Sequence, residues 1–171
     1  FIGTIATAPA REAIRSDYPF CQGGNMDVRD VKPGNILYLP VSVQGGYFFA
    51  GDCHAKQGDG EVCGAAIEVA GIVTLKFEVL KNMPIKNPRI ESQEEIMCVG
   101  SAKPMEEAAR IAYIELLSWM VELGWEKMEA YQCMSHEVQM CVGNIVNPQY
   151  SMVAKLKKEI AYRHRKPNYK G

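Results

Sequence analysis

The sequence lacks the features that would place it in a nucleic-acid-binding or membrane class. Its 19 Lys and Arg nearly balance its 20 Asp and Glu, so the formal net charge is −1. Such a chain has no long-range field that would attract nucleic acid or an anionic membrane. No apolar run in the sequence approaches the ~18–20 residues that a membrane span needs, and the first residues do not resemble a signal peptide. We therefore expect a cytoplasmic globular protein with no nucleic-acid or membrane partner.

Closely paired cysteines and a serine-hydrolase elbow are missing too. None of the six cysteines stands in a C-x-x-C pair, which argues against a structural zinc knuckle. A chain of 171 residues can bury a core without disulfides, so we predict reduced cysteines in the core. The sequence has no G-x-S-x-G motif, which disfavours a serine hydrolase of the α/β type.

The first hundred residues contain many turn signals between β-branched and aromatic runs. Turns at intervals of 8 to 15 residues are typical of short strands joined by tight loops. This pattern predicts strands over residues 36–43, 47–54, 61–70 and 72–80.

Helical periodicity begins after residue 101. Pro104, Glu106 and Glu107 suit the first turn of a helix, and Gly124 suits its end. A second helix is predicted over residues 127–142, followed by short strands at 144–146 and 152–156. The predicted class is α+β: a β-rich, sandwich- or barrel-like body (1–100), then two consecutive helices and a short strand pair (101–171).

Titratable side chains are concentrated at the end of the strand predicted over residues 47–54. Because side chains alternate along a strand, Asp52 and His54 should share one face and Cys53 the other. Glu61 begins the predicted returning strand on its apolar face, whereas Glu68 should point to solvent on the other face. If the two strands form a hairpin, Asp52, His54 and Glu61 converge at the rim of a core, where buried charges indicate a reactive or metal site.

The intervening loop adds Gln57 and Asp59, with Gly58 and Gly60 on either side of Asp59. Glycines there permit backbone shapes that bring peptide groups close to a ligand. The alternative, from the spacing alone, is an ordinary acidic loop with a structural histidine.

The string GDCHAKQGDGEVCG (51–64) closely resembles the signature of the acetamidase/formamidase family. Further segments resemble family landmarks in the expected order, so that the resemblance covers nearly the whole chain: FIGTIATAP (1–9), GGNMD (23–27), EEAAR (106–110), EAY (129–131) and VNP (146–148). Family members are longer, with a β-rich portion before the residues that match Phe1. The resemblance therefore implies a fragment of a longer enzyme whose missing N-terminal portion contributes part of the site. We also expect a homo-oligomer.

The resemblance implies hydrolysis of short linear amides, such as formamide or acetamide, to ammonia and a carboxylate. A divalent metal ion, zinc by preference, would activate water and polarise the carbonyl. Asp52 and His54 are the candidate ligands because they offer O and N donors from one strand face, with Asp27 as a possible third. Glu61 is the candidate general base and acid.

The remaining candidates have supporting roles. Gln57 and Asp59 are assigned to the catalytic group, and Asn25, Gly58 and Gly60 to substrate binding. For Asn25 and Asp27 a plain Asx turn is an equal alternative. A thiolate mechanism with Cys53 or Cys63 beside His54 is a second possibility, which the opposite orientation of Cys53 and His54 disfavours. A non-catalytic metal- or ligand-binding module, or an assembly subunit, is the alternative function.

Overall fold

The structure, a computed structural model, describes residues 1–165. Its elements in chain order are β1 (Ile2–Ala6), β2 (Gly23–Asn25), β3 (Ile36–Tyr38), β4 (Phe49–Lys56), β5 (Ile67–Glu68), β6 (Arg89–Glu91), β7 (Glu95–Ala102), α1 (Met105–Leu123), α2 (Lys127–Glu137), β8 (Gln139–Val142), β9 (Tyr150–Lys157) and α3 (Lys158–Ala161). The predicted α+β class is confirmed.

The strands form two antiparallel sheets that pack with the helices as three layers. The smaller sheet has the order β2-β1-β4-β5 and the larger one β3-β6-β7-β9-β8. Alternate residues of β7 enter different cores: Ile96 and Cys98 face α1 and α2, whereas Met97 and Val99 join a second core with Ile5 of β1. The larger sheet is therefore covered on both faces, and it takes strands from both the 1–100 and the 101–171 portions.

Helix α1 agrees with its sequence signals. Glu106 and Glu107 lie in its first turn, where acidic groups stabilise the helix dipole. Gly124 ends it at φ 112°, and the N–H of Gly124 donates to Met120 and Val121 carbonyl oxygens. This left-handed conformation is one that glycine adopts without a Cβ penalty.

The predicted second helix is too long. It begins at Lys127, where the Glu126 side chain accepts hydrogen bonds from the N–H groups of Met128 and Glu129, and it ends at Glu137. Residues 139–142 instead form β8, which pairs with β9. Pairing with a neighbouring strand outweighs the local helical pattern of this short segment.

Several other strand predictions need correction. The 36–43 strand ends at Tyr38, shortly before Pro40, which has no N–H to donate. Only residues 67–68 of the predicted 61–70 strand form a strand, and 72–80 form none with any of the described residues. Residues 144–146 form a loop with an isolated bridge from Asn144 to Gly60. The predictions over 47–54 and 152–156 fall largely within β4 and β9.

The cysteines are unpaired among residues 1–165, but the prediction that they lie in the core holds for only part of them. Cys98 is buried, whereas Cys21 and Cys63 are exposed. Cys63 lies in a turn rather than on the apolar face of a strand. Within residues 1–165, none of the helices combines the length and apolar character that crossing a bilayer requires.

A buried ion network joins the larger sheet to α1. Arg89 of β6 is almost fully buried, and its Nε donates to Glu115 Oε1 at 2.7 Å. Its Nη1 and Nη2 donate to the two carboxylate oxygens of Glu122 at 2.6 and 2.8 Å. This two-point contact fixes the guanidinium plane, which lies over the Trp119 ring at 5.1 Å.

Candidate active site

Four carboxylates surround one imidazole where β1, β4 and β5 meet. The Nε2 atom of His54 lies 3.1 Å from Asp52 Oδ1, 3.2 Å from Glu68 Oε1 and 3.9 Å from Glu61 Oε1. Asp27 joins Asp52 and His54 in a second group whose ligand atoms all lie within 4.8 Å of one another. His54, Asp27 and Glu61 are buried. The predicted convergence of Asp52, His54 and Glu61 is therefore present in the structure, with Asp27 beside it.

Gln57 determines which nitrogen of His54 carries the proton. Both N–H bonds of the Gln57 amide are used, because Nε2 donates to the backbone oxygens of Asp27 at 2.8 Å and Gly143 at 3.0 Å. The remaining amide oxygen lies 3.0 Å from His54 Nδ1 and can only accept. In the neutral ring Nδ1 therefore carries the proton, and the Nε2 lone pair points at the carboxylates.

Two asparagines hold the Asp27 carboxylate. Asn147 Nδ2 donates to Asp27 Oδ2 at 2.8 Å. In the amide orientation that satisfies its neighbours, Asn25 donates to Asp27 Oδ1 at 3.1 Å and to Asp52 Oδ2 at 2.8 Å. Asn25 thus bridges two of the acids, so it is more than the residue of a simple Asx turn.

Burial, together with neighbouring acids, raises the pKa values of two of these carboxylates. Burial, followed by the charge of Glu61, raises the pKa of Asp27 to about 7. Burial also raises the pKa of Glu61, and this effect outweighs the opposing influences of His54 and Asp27. Burial lowers the pKa of His54, but the charges of Asp52 and Glu68 outweigh it and the net shift is upward. Burial is thus the first cause for the two acids, whereas the neighbouring carboxylates cause the upward shift of His54.

Three of the acids have a strained backbone. Asp27, Asp52 and Glu61 have φ values of 51°, 64° and 48°, in the left-handed region that residues other than glycine seldom adopt. Each such residue costs on the order of 1–3 kcal/mol unless its surroundings compensate, and such residues concentrate at functional sites.

Gly3 of β1 provides the space in which these side chains meet. A Cβ at this position would lie 2.6 Å from Asp52 Oδ2, 2.7 Å from Asp27 Oδ1 and 2.9 Å from His54 Cε1. The Gly3 carbonyl also accepts hydrogen bonds from the N–H groups of Met26 and Asp27, each at 3.1 Å. A glycine inside a strand often indicates close approach by other groups. Gly3 was not among the predicted site residues, although this pattern could have indicated it.

The other loop candidates lie at the margin of the group. Asp59 is 63% exposed and forms an ion pair with Arg29 instead of contacting His54. Gly60, at φ 83°, accepts a hydrogen bond on its carbonyl from the N–H of Ile145 at 3.0 Å. The Gly58 carbonyl accepts one from the N–H of Glu61 at 3.4 Å. The two glycines shape the loop that carries Glu61.

The prediction that Glu68 faces solvent away from the site is wrong. Glu68 is the cross-strand partner of His54, and its carboxylate contacts the imidazole while remaining half exposed. The ladder between β4 and β5 shifts register between His54 and Lys56, and such irregularities redirect side chains. The thiol of Cys63 donates to the backbone oxygen of Ala65 at 3.3 Å, so the structure gives it no role beside His54.

Comparison with known proteins shows the family of this chain. Residues 2–161 match the sequence model of the acetamidase/formamidase family. The chain belongs to that family. It is 40% identical over 92 residues to the formamidase of Methylophilus methylotrophus, and the aligned region covers 50% of this chain and 22% of that enzyme. It is 36% identical over 81 residues to the acetamidase of Mycolicibacterium smegmatis, covering 46% of this chain and 20% of that enzyme.

A solved family structure extends the match to almost the whole chain. The crystal structure of the acetamidase from Yersinia enterocolitica superposes with a TM-score of 0.92 at 47% identity, over 94% of this chain and 49% of that one. The chain therefore spans about half the length of this acetamidase/formamidase relative.

Proposed function

We propose that this chain is part of an enzyme that hydrolyses short linear amides, such as formamide or acetamide, to ammonia and a carboxylate. The observation that carries the proposal is the His54 imidazole, whose Nε2 faces several carboxylates in a buried site. Amide hydrolysis needs an activated water, stabilisation of the carbonyl oxygen and a proton for the leaving nitrogen. The names of the formamidase and acetamidase relatives support the choice of substrate.

The residues of the site fit a divalent cation. A lone pair on Nε2 directed at carboxylate oxygens is unfavourable unless a proton or a metal ion lies between them. Gly3 has no Cβ, and a Cβ there would lie within 3 Å of Asp52, Asp27 and His54. Its absence lets these three donors approach one another. A mixed set of N and O donors suits zinc, so we propose Asp52, His54 and Asp27 as ligands for zinc. When bound, the ion would polarise the amide carbonyl and lower the pKa of a bound water.

Glu61 is proposed to move the proton. It is buried 3.9 Å from His54 Nε2, and its raised pKa favours taking up a proton and returning it. Gln57 is proposed to orient His54 rather than to contact substrate. Asn25 is proposed to hold Asp27 and Asp52 in position through its amide N–H groups. Only the rest of its amide would be left to bind substrate.

The test is ammonia release from formamide and acetamide by the full-length enzyme, with metal content measured on the same sample. We expect His54→Ala to lose both metal and activity, and Glu61→Gln to lose activity while retaining most of the metal. Glu106→Gln, at an exposed position in the first turn of α1, is the matched control. A full-length protein that binds metal but releases ammonia from no short amide would overturn the amidase proposal in favour of a binding module. An active enzyme free of divalent metal would overturn the metal site.

A further inference from the structure

Residues 69–80, here called the edge segment, expose an unusual amount of apolar surface. Ile72 is 99% exposed, Val79 83% and Phe77 64%. Of the 21 large hydrophobic residues exposed in the described part of the chain, 13 lie in residues 41–49 and 62–80. Scattered exposed hydrophobics are normal, but a concentration in two adjoining segments marks an interaction surface.

The edge segment runs along the outer side of β4. Its first residue, Val69, donates its N–H to the backbone oxygen of Cys53 at 2.9 Å. Phe77, further along, packs edge-to-face on Phe48 with ring centroids 4.8 Å apart. The segment thus begins beside Cys53 within β4 and reaches Phe48, which immediately precedes β4, so it runs antiparallel to that strand. The segment continues the line of β5, the last strand in the order of the smaller sheet.

The backbone of residues 72–80 has no partner on either side in the described structure. No backbone hydrogen bond joins residues 72–80 to another described residue. Exposed sheet edges in native proteins are usually blunted by proline, charge or a covering element. The edge segment contains no proline, and its two charged residues, Lys76 and Glu78, form an ion pair with each other. Its remaining composition is that of a strand buried on both faces.

We infer that the edge segment forms a β-strand with the portion of the full-length enzyme that lies outside these 171 residues. The match covers 94% of this chain but only 49% of the Yersinia enterocolitica acetamidase, so about half of that enzyme has no counterpart in these 171 residues. A portion of that length needs surface to pack against, and the edge segment offers apolar side chains together with unpaired backbone groups. Main-chain pairing of this kind provides affinity, while the alternating side chains provide specificity.

The edge segment begins beside the site and runs away from it. Glu68, whose carboxylate contacts His54, lies immediately before the edge segment. The inference does not depend on the reaction that the site catalyses, because it rests on the exposed edge alone.

Hydrogen exchange of the full-length enzyme, followed by mass spectrometry, tests the inference. We expect amides of residues 72–80 to exchange at least about 100-fold more slowly than unstructured peptide, equally at low and high protein concentration. Exchange at unprotected rates would overturn the proposal. Protection that disappears on dilution would also overturn it, because a second copy of the enzyme would then be the partner.

A substitution pair provides an independent check. In the full-length enzyme, Val79→Asp should lower the thermal midpoint by about 5 °C or more, since a buried apolar contact is replaced by a charge. Ile114→Asp, at a half-exposed position on α1, should have a much smaller effect. Equal effects of the two substitutions would contradict burial of the edge segment.

Discussion

Adding a single methyl group at Gly3 should disrupt the site while leaving the fold intact. The Cβ of Gly3→Ala would approach Asp52, Asp27 and His54 to within 2.6, 2.7 and 2.9 Å, whereas ordinary contact begins at 3.4 Å. These atoms must therefore retreat by 0.5 to 0.8 Å. All three belong to side chains rather than to backbone, so they can move by rotation and the cost to stability should stay near the lower end of the ~1–3 kcal/mol typical of overpacking.

The effect on a bound ion should be much larger than the effect on stability. Metal–ligand distances tolerate only about 0.2 Å, so a displacement of this size should weaken metal binding by at least about 10- to 100-fold. Ammonia release should fall with it. Gly51→Ala in β4 is the matched control, because Gly51 pairs with Thr4, the neighbour of Gly3, and a Cβ at Gly51 would meet no atom within 4 Å.

Three measurements on each full-length variant decide the outcome: metal affinity by titration, amide turnover and the midpoint of thermal unfolding. The expected result for Gly3→Ala is a small change in midpoint with a large loss of affinity and turnover. If Gly3→Ala matched Gly51→Ala in metal affinity and turnover, Asp27, Asp52 and His54 would not be a functional group. A large loss of stability would instead indicate that Gly3 matters mainly for packing.

Three further predictions concern neighbouring contacts. Gln57→Leu should reduce metal affinity by about 10- to 100-fold, measured by titration, because His54 loses the partner that orients it; an unchanged affinity would remove that role. Glu115→Ala should lower the free energy of unfolding by about 3–5 kcal/mol in urea titrations, since it strips a buried partner from Arg89. Glu122→Ala, at a side chain 38% exposed, should cost less, and the reverse order would contradict the buried network. Burial raises the pKa of Glu91, but hydrogen bonds from a lysine and two tyrosines outweigh it and lower the pKa below 4.5. The stability that this carboxylate provides is therefore present above pH 4.5 and lost as the pH falls through the folded-state pKa, so Glu91→Gln should flatten the acid side of the stability profile.

Local signals in the sequence account for much of the fold. Helix α1 was predicted over nearly its full length because its apolar stripe spans five turns between Pro104 and Gly124. Short elements were less predictable. Residues 139–142 continue a helical pattern locally, and only their ladder with β9 makes them a strand. Residues 72–80 have the composition of a strand but lack a partner in the described chain.

At the site too, contacts within one short segment could be predicted from the sequence, whereas contacts between distant segments could not. Asp52, His54, Gln57 and Glu61 lie within ten residues, so one strand and one loop suffice to predict their proximity. The contributions that were missed come from distant parts of the chain. Asn147 reaches Asp27 across 120 positions, and Gly3 approaches Asp52 only because β1 pairs with β4. No periodicity within a single segment reports such contacts.

The left-handed backbone at Asp27, Asp52 and Glu61 has a consequence for engineering. Glycine relieves strain at such positions, and removal of any one of these acids also removes its repulsion with the remaining acids. A selection for heat resistance alone should therefore accumulate glycine substitutions at these three positions, and it would remove the candidate site in the process. The substitutions that raise stability most easily would then fall on the residues proposed for the reaction. Thermostabilisation of this protein therefore requires selection for turnover at every round.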